Sequence, residues 1–172
     1  GLYNKKLFFE RAIEASHKAL SYNFPLSIFI FYIDHFKNYN VKNGHVQGDV
    51  LLKELSKIVK ENTRTTDTIA RYGGEEFIIL LPNTEKNNAM LYAEKIRKLI
   101  ETHPFQYREK QPLGCLSISG GVATFPSDGT TIETIVKNAD KALYESKTGG
   151  RNKVTTYKPL QFSAEEETQE TV

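Results

Sequence analysis

A chain of 172 residues with 39% hydrophobic and 26% charged residues has the size and make-up of one soluble globular domain with room for a sizeable core. Its longest apolar run, Leu26 to Ile33, includes Ser27 and is far too short to span a bilayer, and the single cysteine, Cys115, excludes an internal disulfide. A net charge of +2 selects no partner by itself, although Glu165, Glu166, Glu167 and Glu170 gather acid in the tail and leave the body basic, as suits a nucleotide ligand.

Gly1 to Lys6 leads into an amphipathic helix with Phe8, Ala12, Ala15 and Ala19 at helical spacing, ending near Asn23-Phe24-Pro25. Leu26 to Ile33 reads as a central strand covered on both faces. Asp34 stands where an N-cap would, ahead of a short helix through Phe36, Tyr39 and Asn40, and such a helix end aims free N–H groups at the space above the sheet. Asn43-Gly44-His45 is a turn, and Gly48-Asp49 leads into a helix with Leu51, Leu52, Leu55, Ile58 and Val59 as its core stripe. Asp49 alone reads as an acid favoured by that helix's dipole. Arg64-Thr65-Thr66-Asp67 reads by default as an exposed ion pair.

Thr68 to Tyr72 and Phe77 to Leu81 are β-rich strands joined by Gly73-Gly74-Glu75-Glu76, a hairpin whose glycines tolerate positive φ and whose glutamates put two carboxylates at the tip. Pro82-Asn83-Thr84 closes the second strand and caps a helix bearing Ala89, Ala93, Ile96 and Ile100. His103 to Pro112 is a polar loop or short hairpin. Leu113 to Thr124 is a buried strand with a bulge or close approach at Gly120-Gly121, and it holds Cys115 as plain core. Thr130-Thr131-Ile132-Glu133 forms a capping box opening a helix with Ile132, Ile135, Val136, Ala139, Ala142 and Leu143 inward. Lys147 and Arg151 near its end suit the dipole and C-cap. Lys153 to Tyr157 is a last strand, and the acidic tail, 159–172, is expected to be disordered.

The stretch Arg71-Tyr72-Gly73-Gly74-Glu75-Glu76-Phe77, together with the segments around Asp34, Asn40, Asp49, Arg64, Asp67 and Lys147 to Asn152 in the same order, resembles the GGDEF family of diguanylate cyclase domains, in its GGEEF variant. The resemblance covers residues 1–158, and Gly1 to Lys6 resembles the end of the segment with which these domains begin, which implies a longer protein with a sensor or receiver domain upstream. It implies an α+β fold, a mixed sheet flanked by helices in a ferredoxin-like sandwich of the class III nucleotidyl cyclase kind, with the hairpin at the active site. It also implies a cytoplasmic location, free or as the cytoplasmic part of a membrane-anchored protein, and no nucleic-acid partner.

The family reaction joins two GTP across a homodimer into cyclic di-GMP and two pyrophosphates with Mg²⁺ or Mn²⁺. By resemblance, backbone amides of His35, Phe36 and Lys37 hold phosphates, Asn40 and Asp49 read guanine, Lys147 and Arg151 clamp phosphates, and Arg64 and Asp67 form an inhibitory site for the product. Glu75 is the metal ligand and assists the attacking hydroxyl, Glu76 supports it, and the Ile33 backbone completes the set. One position departs from the pattern: Tyr32 stands where the family has its second metal-binding aspartate, and a phenol is neutral near pH 7. Either Asp34 or Glu76 substitutes for that carboxylate and the domain is an active cyclase, or it is a weak or inactive module that senses GTP or cyclic di-GMP.

Overall fold

The computed structural model describes residues 2–159. Leu26–Ile33 forms β1, the middle strand of a five-stranded sheet, and its alternating side chains divide the core in two. Phe29, Phe31 and Ile33 face α3 (His45–Glu61) and α4 (Lys86–Thr102), while Ile28 and Ile30 face α1 (Lys5–Tyr22) and α5 (Ile132–Thr148). The polar exception, Ser27, is fully buried, with its hydroxyl 2.8 Å from the Thr84 carbonyl and 2.8 Å from the Thr124 hydroxyl.

The sheet order is β2 (Thr68–Arg71), β3 (Glu76–Pro82), β1, β4 (Ile118–Phe125), β5 (Val154–Thr156). Only β4 and β5 run parallel, so the sheet is mixed. Tyr3 extends the β2 edge, its N–H donating to the Ile69 carbonyl at 3.1 Å. These strands and the helices on both faces are the expected α+β sandwich. The acidic tail, from residue 160 onward, lies outside the described residues.

Gly120 and Gly121 are a close approach and not a bulge, because the β1–β4 register runs through both without a break. A Cβ on Gly121 would lie 2.1 Å from the Ala139 carbonyl oxygen and 2.3 Å from the Leu143 nitrogen, so α5 rests directly on the strand backbone.

Several boundaries shift, each for a local reason. Asn4 caps α1 by accepting from the Leu7 N–H at 2.9 Å. Gly44 alone separates α2 (Phe36–Asn43) from α3, so Gly48 lies inside a helix that begins at His45. Asp34 is not an N-cap; His35 takes that place in the left-handed region, φ 53°, and Asp34 turns inward. Thr84 does not cap α4, whose N-cap is Glu85, because the Thr84 hydroxyl donates to the Pro82 carbonyl and accepts from Arg64. Thr131 caps α5 by accepting from Thr134, so Glu133 is one residue short of the capping-box position. Residues 113–117 run into β4 as a turn, a bend and irregular backbone, which leaves Cys115 half-buried outside the strand; burial pushes its thiol up.

Candidate functional site

The C-terminal end of β1 and the tip of the β2–β3 hairpin lie side by side, and backbone bonds fix the hairpin there. The buried Ile33 donates its N–H to the Glu75 carbonyl at 3.1 Å, and Tyr72 and Gly73 donate to the Glu76 carbonyl at 2.8 and 3.3 Å. Arg71 braces the tip, donating from Nε and Nη2 to the Gly74 carbonyl at 3.0 and 2.6 Å. Neither hairpin glycine has a positive φ, so the turn does not use the freedom expected of them. A side chain added at Gly74 would enter open space, which leaves the tip accessible.

Tyr32 is half-buried at this end of β1, level with Glu76 in the strand register. The Lys147 ammonium, from the last turn of α5, sits 3.7 Å from the centre of its ring, a cation–π contact. Burial raises the Tyr32 phenol above its ordinary value; the Glu75 carboxylate adds to the rise, then Asp34, while Arg151 opposes it. The phenol therefore stays protonated and neutral at physiological pH.

Asp34 is 2% exposed, and both of its carboxylate oxygens are engaged. Ser119 donates to Oδ1 at 2.7 Å, and Ser117 and the Asn152 backbone N–H donate to Oδ2 at 2.7 and 3.1 Å. The idea that Asp34 replaces the missing metal ligand meets a carboxylate already committed to β4 and to the loop after α5. That loop is held from its other side as well. The Asn152 side chain donates to Glu101 at 2.9 Å and accepts from Arg97 at 3.0 Å, and its hydrogen bond is the main cause holding the Glu101 carboxyl below its usual value. Arg151 and Asn152 both have positive φ, 64° and 47°, a conformation these non-glycine residues keep only where their surroundings impose it. Arg151 is thereby presented to the cleft, and its buried Nε has no partner. Sequence reading passed over Ser117 and Ser119, and gave Arg71 and Asn152, though they lie in the quoted segments, no role of their own.

Between α2 and this loop is a cavity of about 470 Å³ lined by Tyr32, His35, Lys37, Asn38, Lys42 and Arg151. The predicted phosphate residues His35, Lys37 and Arg151 meet here, and Phe36, 6% exposed, offers only its backbone. Asn40 packs against Gly48 so closely that a Cβ there would come within 1.8 Å of its Oδ1, and that oxygen is buried without a partner. Asp49 follows on the exposed side of α3, so Gly48 lets the two predicted guanine readers sit together.

A divalent ion fits the donors poorly. Glu75 is one carboxylate, Tyr32 is a neutral phenol and Asp34 is committed, whereas Glu76 lines a separate cavity of about 380 Å³ with Phe9, Tyr72, Glu133, Lys137 and Asp140. Arg64 and Asp67 are bound to each other at the other end of β2 from the hairpin. Arg64 Nη2 is 2.8 Å from Asp67 Oδ1 and also donates to Thr84 at 2.8 Å, and the Asp67 side chain is 1% exposed.

No helix among the described residues is long and apolar enough to cross a membrane. The chain is 50% identical over 133 residues to diguanylate cyclase A of Treponema denticola, covering 77% of this chain and 35% of that protein. It is 34% identical over 154 residues to the response regulator PleD of Caulobacter vibrioides, covering 90% of this chain and 34% of that protein. It therefore spans about a third of the length of these relatives. Among solved structures, the active GGEEF domain of a diguanylate cyclase from Vibrio cholerae superposes with a TM-score of 0.84 at 32% identity, covering 93% of this chain and all of that one. The GGDEF domain of DgcB from Caulobacter crescentus, solved in complex with c-di-GMP, gives 0.82 at 30% identity, covering 92% of this chain and 90% of that one. The family described as diguanylate cyclase, GGDEF domain, matches residues 1–153, and with the braced hairpin and its sheet in the same arrangement, the chain belongs to the GGDEF family.

Proposed function

We propose that this domain takes GTP in the cleft between α2 and the loop after α5 and serves cyclic di-GMP signalling as a guanine-nucleotide receptor with little turnover. The Asp49 carboxylate accepts from guanine N1–H and the exocyclic amino group, Asn40 pairs with the remaining edge, and adenine lacks that pair of donors. Phosphates meet the amides at the start of α2 and the cations Lys37, Arg151 and Lys147. The observation that carries the reading is Tyr32, a neutral ring stacked under Lys147 where the family pattern calls for a metal-binding carboxylate.

A second reading keeps the full family activity: two domains face to face, each 3′-hydroxyl attacking the other GTP's α-phosphate, with Mg²⁺ or Mn²⁺. It is favoured by Glu75, which Ile33 still pins at the hairpin tip with Glu76 beside it. A homodimer and an upstream sensor or receiver domain belong to either reading.

Cyclic di-GMP formation from GTP with Mg²⁺ or Mn²⁺ separates them, using protein stripped of product and fused to a dimerising coiled coil. The receptor reading expects the native domain at background and Tyr32→Asp at least about tenfold above it. Equal turnover by the two proteins returns the domain to the cyclase reading. Product binding at Arg64 and Asp67 requires their mutual ion pair to open. Arg64→Ala is expected to weaken cyclic di-GMP binding about tenfold in calorimetry, and unchanged affinity removes that site.

A further inference from the structure

The cavity beside α2 has an unusual charge balance for a site meant to hold a metal-bound triphosphate. His35, Lys37, Lys42 and Arg151 line it with Tyr32 and Asn38, and none of the described residues that line it is a carboxylate. Lys147 adds an ammonium at its edge, parked on the Tyr32 ring and, among the described residues, in no ion pair. The nearby Asp34 carboxylate is turned into the protein and held by three donors. Arg151 brings a buried Nε that has no partner.

From this arrangement we infer that the cleft binds the guanine triphosphate without a divalent cation, with Lys147, Arg151 and Lys37 supplying the charge that a metal would otherwise provide. The inference rests on the GTP reading above and deepens it. A metal-free triphosphate carries two more negative charges than its Mg²⁺ complex, and a pocket lined by cations and a neutral ring meets the more negative form better. Tyr32 has two parts in this. Its ring gives Lys147 a contact without placing a second carboxylate beside Glu75, and its lack of charge spares the phosphates the repulsion that a carboxylate at position 32 would add to that of Glu75. On binding, Lys147 exchanges the ring for a phosphate oxygen.

The experiment is calorimetric titration of GTP into the native protein in EDTA and in Mg²⁺, alongside Tyr32→Asp, Tyr32→Phe and Lys147→Met. Native protein is expected to bind in EDTA at least as tightly as in Mg²⁺, and Tyr32→Phe to match it. Tyr32→Asp is expected to lose about tenfold in EDTA and to recover most of that with Mg²⁺, and Lys147→Met to lose at least about threefold in EDTA. Native binding that tightens more than about threefold on adding Mg²⁺ overturns the inference and leaves the GTP reading standing. Absence of native binding in both buffers overturns the GTP reading and the inference with it. Circular dichroism of each variant separates misfolding from lost affinity, and Tyr32→Phe keeps the comparison available should the aspartate variant fail to fold.

Discussion

Asp34 is a buried carboxylate stabilised without a counter-ion, by two serine hydroxyls and one backbone N–H. Asp34→Asn keeps the size but replaces one acceptor oxygen with a donor facing other donors. It is expected to cost about 2–3 kcal/mol, read as a lower urea midpoint, and to weaken GTP binding because the loop presenting Arg151 loses its anchor. None of this was legible at position 34 itself. A polar residue between an apolar run and a helix pattern looks like a cap, and the donors that turn it inward come from Ser117, Ser119 and Asn152, far along the chain. Tyr32, by contrast, was legible as a departure at once. Its partner Lys147 was read as a complement to the helix dipole and as a phosphate clamp, never as a contact of Tyr32, because a contact between a strand end and a distant helix end has no local signal.

At the level of elements, periodicity located the long helices and the core strands, since the apolar stripes of α3, α4 and α5 and the unbroken run of β1 reflect burial that the fold then supplies, whereas the single 3-10 turn at Arg108–Lys110 lies in a stretch that reads as a polar loop or short hairpin. Ends were less legible, because caps compete: Thr84 gives its hydroxyl to Pro82 and Arg64, and Glu85 begins α4 instead. Glycines carried two different meanings that the sequence could not separate. Gly121 has α5 backbone pressed against it, so Gly121→Ala must push the helix away, at an expected cost of about 2–4 kcal/mol in thermal or urea unfolding. Because α5 carries Lys147, that shift also displaces the cleft. Gly74→Ala, in open space and at an ordinary φ, is expected to change stability by less than about 1 kcal/mol, and a large loss there would show that the hairpin needs its glycine in solution.

Across the whole molecule, stability should fall in alkali. Burial pushes the Tyr92 phenol up to about 12, against a partly opposing hydrogen bond with Thr63 at 2.6 Å. The unfolded chain loses this proton near pH 10, whereas the folded one keeps it to about pH 12. Above the unfolded value the unfolded state binds fewer protons, so stability is intact below about pH 10 and declines up to about pH 12, by up to roughly 3 kcal/mol. Tyr32 and Tyr39, also raised chiefly by burial, push in the same direction. Urea midpoints at about pH 9 and about pH 11 measure the slope, and Tyr92→Phe is expected to flatten it; an unchanged slope in that variant assigns the decline to other groups.

The central place of β1 also matters while the protein is being made. This uncharged strand leaves the ribosome before both of its neighbours, and β4 follows only on the order of ten seconds later at ordinary synthesis rates. Through that interval it is a ready seed for intermolecular pairing, bracketed only by Pro25 and Asp34. Asp34, the anchor of the finished cleft, is therefore also the flanking charge on that strand, and its replacement is expected to lower soluble yield beyond what the loss of folded stability explains.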